Sequence, residues 1–258
     1  MNYQQKKQEV IEKITSGNPF FIDTNVLVDA AENSDAQFLA TLAKTPNFYP
    51  THININELFG ITAYGNADKK TAKILDSFRE LIQRRAVKPT KSDIAKITAE
   101  LSPLAQLLPR SVSNHVVIKF VDSLIALYER LASRAASLTQ KELGELSTLY
   151  QQGKANLRKD AEARYLELID TLGIEEFDEK TYFAEVEKFN ETALADIQRT
   201  VVRAGTITAA KTALDAYRKK THTNDITFTA TVISRGATAV SNDSDVRWLF
   251  TFYARRAA

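Results

Sequence analysis

Apolar positions along this 258-residue chain recur mostly at spacings of three and four, and two short continuous apolar runs interrupt that rhythm. The helical spacing predicts segments over residues 3–15, 34–44, 51–64 and 68–85, the last with Ile74, Leu75, Phe78 and Leu81 on one face. Phe20, Phe21 and Ile22 read instead as a short strand buried on both faces, as in a parallel sheet. Ala237 to Val240 reads as a second such strand, entered after a helix that runs from Asp225 to about Arg235 and stops at Gly236. Between these ends, Ile118, Val121, Leu124, Ile125, Tyr128 and Leu131 form one helical stripe. Tyr182, Val186, Phe189, Ala193, Ile197 and Val201 form another. With the stretch from Lys154 to Leu172 they predict three helices in a hairpin or small bundle.

Carboxylates stand at the ends of both apolar runs. Asp23 follows the first strand at its carboxyl end, where open α/β sheets place ligands. Thr24 and Asn25 can cap the next helix, and Val26, Leu27 and Ala30 give that helix an apolar face. Asp23 is either a helix cap or one corner of a metal site. Thr51 caps a helix in which Ile53, Glu57 and Ile61 share a face, so Glu57 points with the hydrophobes and needs a metal, a basic partner or a pocket rim. Thr223 or Asn224 caps the helix holding Asp225 in its first turn, and the second strand releases Ser241, Asn242, Asp243 and Asp245 into a turn.

Taken together, these blocks resemble the PIN-domain nuclease family, which includes the VapC-type toxin ribonucleases. IDTNV matches the opening strand with its first Asp, INELF the helix bearing Glu, and NDITFTATVISRGATAVSND the closing helix and strand. AVKPTKSDIAKITAEL, residues 86–101, looks like the strand and helix that precede the third acid. The resemblance implies an α/β fold, PIN-like and Rossmann-related: a central parallel sheet flanked by helices, divided as 1–102 and 205–258 around an all-helical insertion at 103–204. It implies a divalent-metal-dependent endoribonuclease, with Asp23, Glu57, Asp225 and Asp243 as catalytic and metal-holding acids. Asp245 shares or replaces the fourth position, and Asn25, Ser241, Lys219 and Lys220 face the substrate. Clustered carboxylates stay ionised only beside a cation, and hard oxygen donors select Mg²⁺ or Mn²⁺. Two alternatives stand beside this reading: a structure-selective DNA nuclease with the same acids, and a PIN-like scaffold that binds nucleic acid or protein without cutting. In this chain Ser241 stands where the family often has Thr, and about a hundred residues separate the middle block from Asp225.

Composition narrows the setting without altering that picture. Zero Cys argues against a disulfide scaffold, the first residues lack a signal-peptide run, and no segment reaches membrane-spanning length, so the expected location is the cytoplasm. His52, His115 and His222 lack metal-ligand spacing and read as structural, with a peripheral substrate contact open to His222. No Gly-rich phosphate loop or nucleophile elbow is present. Charge is uneven: between Asp160 and Asp196 twelve acids accompany three bases, a net of −9 that leaves +11 to the rest. The expected partner of the basic remainder is nucleic acid, RNA before DNA. For the acidic insertion the expectations are a homodimer contact, an antitoxin or other partner, or a shield over the basic surface; a plain enlargement of the core is the simpler reading.

Overall fold

The computed structural model describes residues 2–88, 91–132, 139–175, 178–204, 207–218 and 222–257. Two compact units emerge, one from Met1–Ser102 with His222–Tyr253, the other from Pro103–Thr221 with Ala254–Ala258.

In the first unit α1 (Tyr3–Ser16) leads into β1 (Phe20–Ile22), then α2 (Thr24–Glu32), α3 (Ala36–Lys44), α4 (His52–Ala63) and α5 (Lys69–Ile82). Helix α6 (Lys91–Leu104) runs from this unit into the next. The second unit holds α7 (Pro109–Ala132), α8 (Gln140–Leu172), α9 (Glu179–Ala204) and α10 (Ile207–Arg218). The chain then returns to the first unit through α11 (Thr223–Ser234), β2 (Thr238–Val240) and α12 (Ser244–Ala257).

The expected α/β architecture, a central parallel sheet flanked by helices in a PIN-like arrangement, is not what forms. Among the described residues the only strands are β1 and β2, a two-stranded parallel sheet in an otherwise helical protein. Parallel pairing extends beyond it only as isolated bridges, Phe20 with Phe48 and Thr51 with Val87. The reason is local. Each strand is three residues long and gives way almost at once to a helix start: Asp23 is the N-cap of α2, and Thr51, straight after the bridged segment, is the N-cap of α4. The 86–101 block contributes Val87 and then α6, with residues 89 and 90 outside the described set.

Within the first unit, strand alternation divides the core in two. Phe20 and Ile22 enter a cluster with Val10 of α1, Leu27 of α2, Leu39 and Leu42 of α3, Leu58 of α4 and Leu75 and Phe78 of α5. Phe21 points the other way, to Ile53, Phe228, Val232 and Val246. On α5 the buried row is Thr71, Leu75, Phe78 and Ile82. Leu81, expected on that face, lies about a quarter-turn away from Ile82 and is 53% exposed.

The insertion helices form, and α7 packs against α8, α9 and α10. The Tyr182 ring lies tilted against that of Tyr165, with centroids 4.4 Å apart, and its hydroxyl donates to the Leu107 carbonyl, while Ser113 donates to Asn190 at 2.7 Å. The buried stripe of α7 runs Val112, Val116, Val117, Val121 and Leu124, leaving Ile118 half-buried, and Phe189 on α9 is half-buried under the Arg110 guanidinium. No helix among the described residues is long and apolar enough to cross a membrane.

Charge divides differently from the expectation. The first unit carries fifteen bases and fifteen acids, and the second nineteen bases against seventeen acids. The positive excess that offsets residues 160–196 therefore lies largely within the same helical unit.

One buried amide ties β1 to α4. Asn54 is fully buried; its Oδ1 accepts from the Thr51 amide and hydroxyl, both at 2.8 Å, and its Nδ2 donates to the Ile22 carbonyl at 3.1 Å and to Thr24 Oγ1 at 3.0 Å. Asn54→Ala strands buried donors and acceptors at the strand end and is expected to cost about 2–4 kcal/mol in urea unfolding. Exposed Ser77→Ala should stay within about 0.5 kcal/mol. A loss for Asn54→Ala no greater than that control would remove Asn54 from its bracing role.

Candidate metal centre

Asp23 ends β1, and its backbone amide continues the ladder by donating to the Val240 carbonyl at 2.9 Å. As N-cap of α2 its side chain makes no capping bond. Instead Oδ2 accepts from Ser241 Oγ at 2.5 Å and Asn25 Nδ2 at 2.9 Å. Of the two roles open to this residue, capping is thus not the one its carboxylate performs. Asn25 and Ser241, expected at a substrate, both hold Asp23.

The turn after β2 is wired by its own polar groups. The Asp243 amide donates to Ser241 Oγ at 2.9 Å, the Asp245 amide to Asp243 Oδ1 at 2.8 Å, and the Asn242 amide to Asn25 Oδ1 at 3.2 Å. Asn242 also donates through Nδ2 to Asp29, one turn beyond Asn25 on α2. Glu57 comes from α4, where its Oε1 accepts from Asn224 Nδ2 at 2.8 Å, and Asp225 comes from the first turn of α11. The N-cap of α11 is His222, not Thr223 or Asn224.

Asp23, Glu57, Asp225 and Asp243 line one open cleft of about 570 Å³, with Asn25, Asp29 and Glu32 also on its wall and no basic side chain among the described residues that line it. Burial pushes the Asp23 carboxyl up to about 7, against the opposing Ser241 hydrogen bond, and the charges of Asp243, Glu57 and Asp225 push it further the same way. Burial also raises Asp29, partly offset by the Asn242 bond.

A tighter group lies beside the cleft. One ligand atom each from His222, Asp225 and Asp245 falls within 4.8 Å of the others, a cluster that could hold a metal ion. His222 Nδ1 is 3.4 Å from Asp225 Oδ2 and 3.6 Å from Asp245 Oδ2, and Asp245 is fully buried. Asp225 belongs to both groups, which joins the imidazole to the carboxylate cleft. Sequence reasoning treated His222 as structural because no second His stands at ligand spacing; the fold supplies its partners from three and twenty-three residues downstream. Asp29 is absent from the residues the sequence singles out, and Asn224 and Asn242 figure there only as a helix cap and a turn residue. Asp29 had a signal, since it lies four residues after Asn25 on the same helix face. Lys219 and Lys220 lie outside the described residues.

Asp23 gives the unit a defined pH response. A carboxyl whose folded value lies above its ordinary 3.8 keeps a proton in the native state that the unfolded chain has released, so stability falls as pH rises from about 4 to about 7. Without added divalent cation the loss is up to about 4 kcal/mol for a shift of this size, less where solvent screens it. Urea unfolding across that range should show the decline, and Asp23→Asn should flatten it. A parallel decline in the variant would remove Asp23 as its source.

The chain matches no protein-family model, no curated protein and no solved structure. With the mainly helical fold, this overturns the PIN-family resemblance and what it implied: an endoribonuclease, a DNA nuclease with the same acids, a toxin, or a PIN-like scaffold. The compact ligand cluster is His222, Asp225 and Asp245, where a four-carboxylate nuclease site was expected. What stands is a mostly helical chain with a His/Asp/Asp cluster able to take a metal ion at the edge of an acidic cleft.

Proposed function

We propose that the first unit is a divalent-cation-binding module, and that its ion is Mg²⁺ or Mn²⁺. The observation that carries this reading is the half-buried Asp23 held among Glu57, Asp225 and Asp243 in a cleft with no basic side chain among its described lining residues. Carboxylates so placed repel one another, and a cation relieves that cost while leaving the hydrogen bonds from Ser241 and Asn25 intact. The donors a hard ion could take are the carboxylates of Asp225 and Asp245 with the His222 imidazole, whose ligand atoms lie within 4.8 Å of one another, and the carboxylates of Asp23, Glu57 and Asp243 line the adjoining cleft. The imidazole tilts the preference from Mg²⁺ toward Mn²⁺. In this reading Asn25 and Ser241 aim the Asp23 carboxylate, and Asn224 aims Glu57. The open side of the cleft leaves the ion accessible to a phosphate-bearing partner, RNA before DNA, because Mg²⁺ and Mn²⁺ commonly share their coordination with phosphate oxygens. A cytoplasmic setting is part of the proposal.

Isothermal titration of Mg²⁺ and Mn²⁺ into chelator-treated protein, beside thermal unfolding, tests it. Saturating ion at a hundred times Kd should add about 2.7 kcal/mol of stability. Asp225→Asn should weaken both ions at least about tenfold, and His222→Ala should weaken Mn²⁺ more than Mg²⁺. Absence of binding heat and of a thermal shift, or unchanged affinity in Asp225→Asn, would overturn the assignment.

A further inference from the structure

We infer that this chain associates with a second copy of itself head to tail, α5 of one copy against α8 of the other. The inference does not depend on the metal reading, because neither helix face holds a proposed ligand.

Neutrality of the first unit hides a strong separation. Six of its fifteen acids line the cleft and Asp245 lies behind it, so the basic residues elsewhere are left with few counter-charges. Helix α5 shows the result. Lys70, Lys73, Ser77, Leu81 and Arg84 follow one another at spacings of three and four from α5 into the short turn after it, and all are exposed. That row is a basic stripe with a single apolar residue, Leu81, 53% exposed. The α5 residues that bury themselves lie on the opposite side, so nothing in the unit's core uses this face.

The second unit presents the complement. Leu166 on α8 is 52% exposed, and the charged side chains within one turn of it are Glu162, Arg164, Glu167 and Asp170, with Arg164 paired to Glu167 and Arg158 paired to Glu162. Beyond them, exposed Glu175 and Asp178 continue the negative charge past the end of the helix. Each face therefore carries one large exposed aliphatic side chain among charges whose excess has one sign, basic on α5, where Glu80 is the exposed acid, and acidic at the end of α8, where Arg158 and Arg164 pair with two of the acids, and the two excesses are opposite. Exposed leucines are individually unremarkable. Two of them, each framed by charges that would attract the other's frame, give an apolar centre with a polar rim, the anatomy of a protein–protein contact. Charge complementarity of this kind speeds encounter and fixes register, and it weakens as salt screens it. Because the two faces differ, each contact joins unlike faces of two copies.

That asymmetry supplies the test. Sedimentation velocity on the full chain over a range of concentrations should show mass rising above 28.9 kDa at low ionic strength and returning toward it at high ionic strength. K73E with R84E should disable the α5 face, and L166K with D170K the α8 face. Each variant alone should associate at least about tenfold more weakly. An equimolar mixture of the two should form dimers, because one intact face remains on each. The conservative K73R with R84K should associate like the parent, and far-UV circular dichroism verifies that every variant is folded. A wild-type chain that stays at monomer mass at every concentration overturns the inference, as does association that survives reversal of the α5 charges. A mixture of the two variants that remains monomeric also overturns it. A monomeric chain whose binding of single-stranded RNA is lost in K73E with R84E would give the α5 face to nucleic acid instead, and would likewise overturn it.

Discussion

Three rungs of parallel pairing, Phe20 to Ile22 against Thr238 to Val240, are the constraint on which the first unit depends. They join segments more than two hundred residues apart and do two things together. Inside, alternation sends Phe20 and Ile22 into one hydrophobic cluster and Phe21 into the other, so the pairing divides and anchors the whole core. At their carboxyl ends, the same pairing delivers Asp23 and the Ser241–Asp245 turn to one place. The fixed ladder bond from the Asp23 amide to Val240 sets the register in which Ser241 reaches the Asp23 carboxylate. A parallel pair has both carboxyl ends on the same side, which is why two distant strand-to-acid junctions converge.

The junctions were readable in the sequence because they rest on local rules. An apolar triplet followed by a capping residue announces a strand that stops, and Thr51 with Asn54 announces the start of α4 through a capping box. The sheet was overread for a related reason: three-residue runs are consistent with a buried parallel sheet, yet they do not by themselves carry the strand length that a central sheet requires. Helices took the rest, as the spacing of three and four along most of the chain indicates. The PIN-like expectation rested on short blocks whose local geometry is real but whose larger frame is different.

Side-chain partners were the least readable part of the site. Asp225 in a first helical turn was expected, and its partners were not, because His222 and Asp245 meet only after α11 and the turn beyond β2 are placed. Nor does sequence show which amide serves which carboxylate. Asn25 and Asn224 stand in the first turns of α2 and α11 and Asn242 in the turn after β2, yet each donates to an acid at the cleft: Asp23, Glu57 and Asp29 in turn. Charge was misread by the same route. A net excess counted along the chain was placed on the surface around the acids, whereas the fold assigns much of it to the helical unit that also carries the acidic run.

Taken energetically, the cleft is a place where folding and ligand chemistry oppose each other. Burial of Phe20, Phe21 and Ile22 favours closing the β1–β2 pair, and closing it carries Asp23 out of water and toward three other acids. The hydrogen bonds from Ser241 and Asn25 offset part of that cost, but a neutral donor stabilises a carboxylate less than a full positive charge does. A proton can supply the missing compensation in acid, and a divalent ion can supply it at neutral pH. On the proposed cation reading the two would compete for the same oxygens, and the burial that pushes the Asp23 carboxyl up to about 7 would bring that competition into the neutral range. On the same reading, occupancy of the site is tied directly to the stability of the unit that forms it.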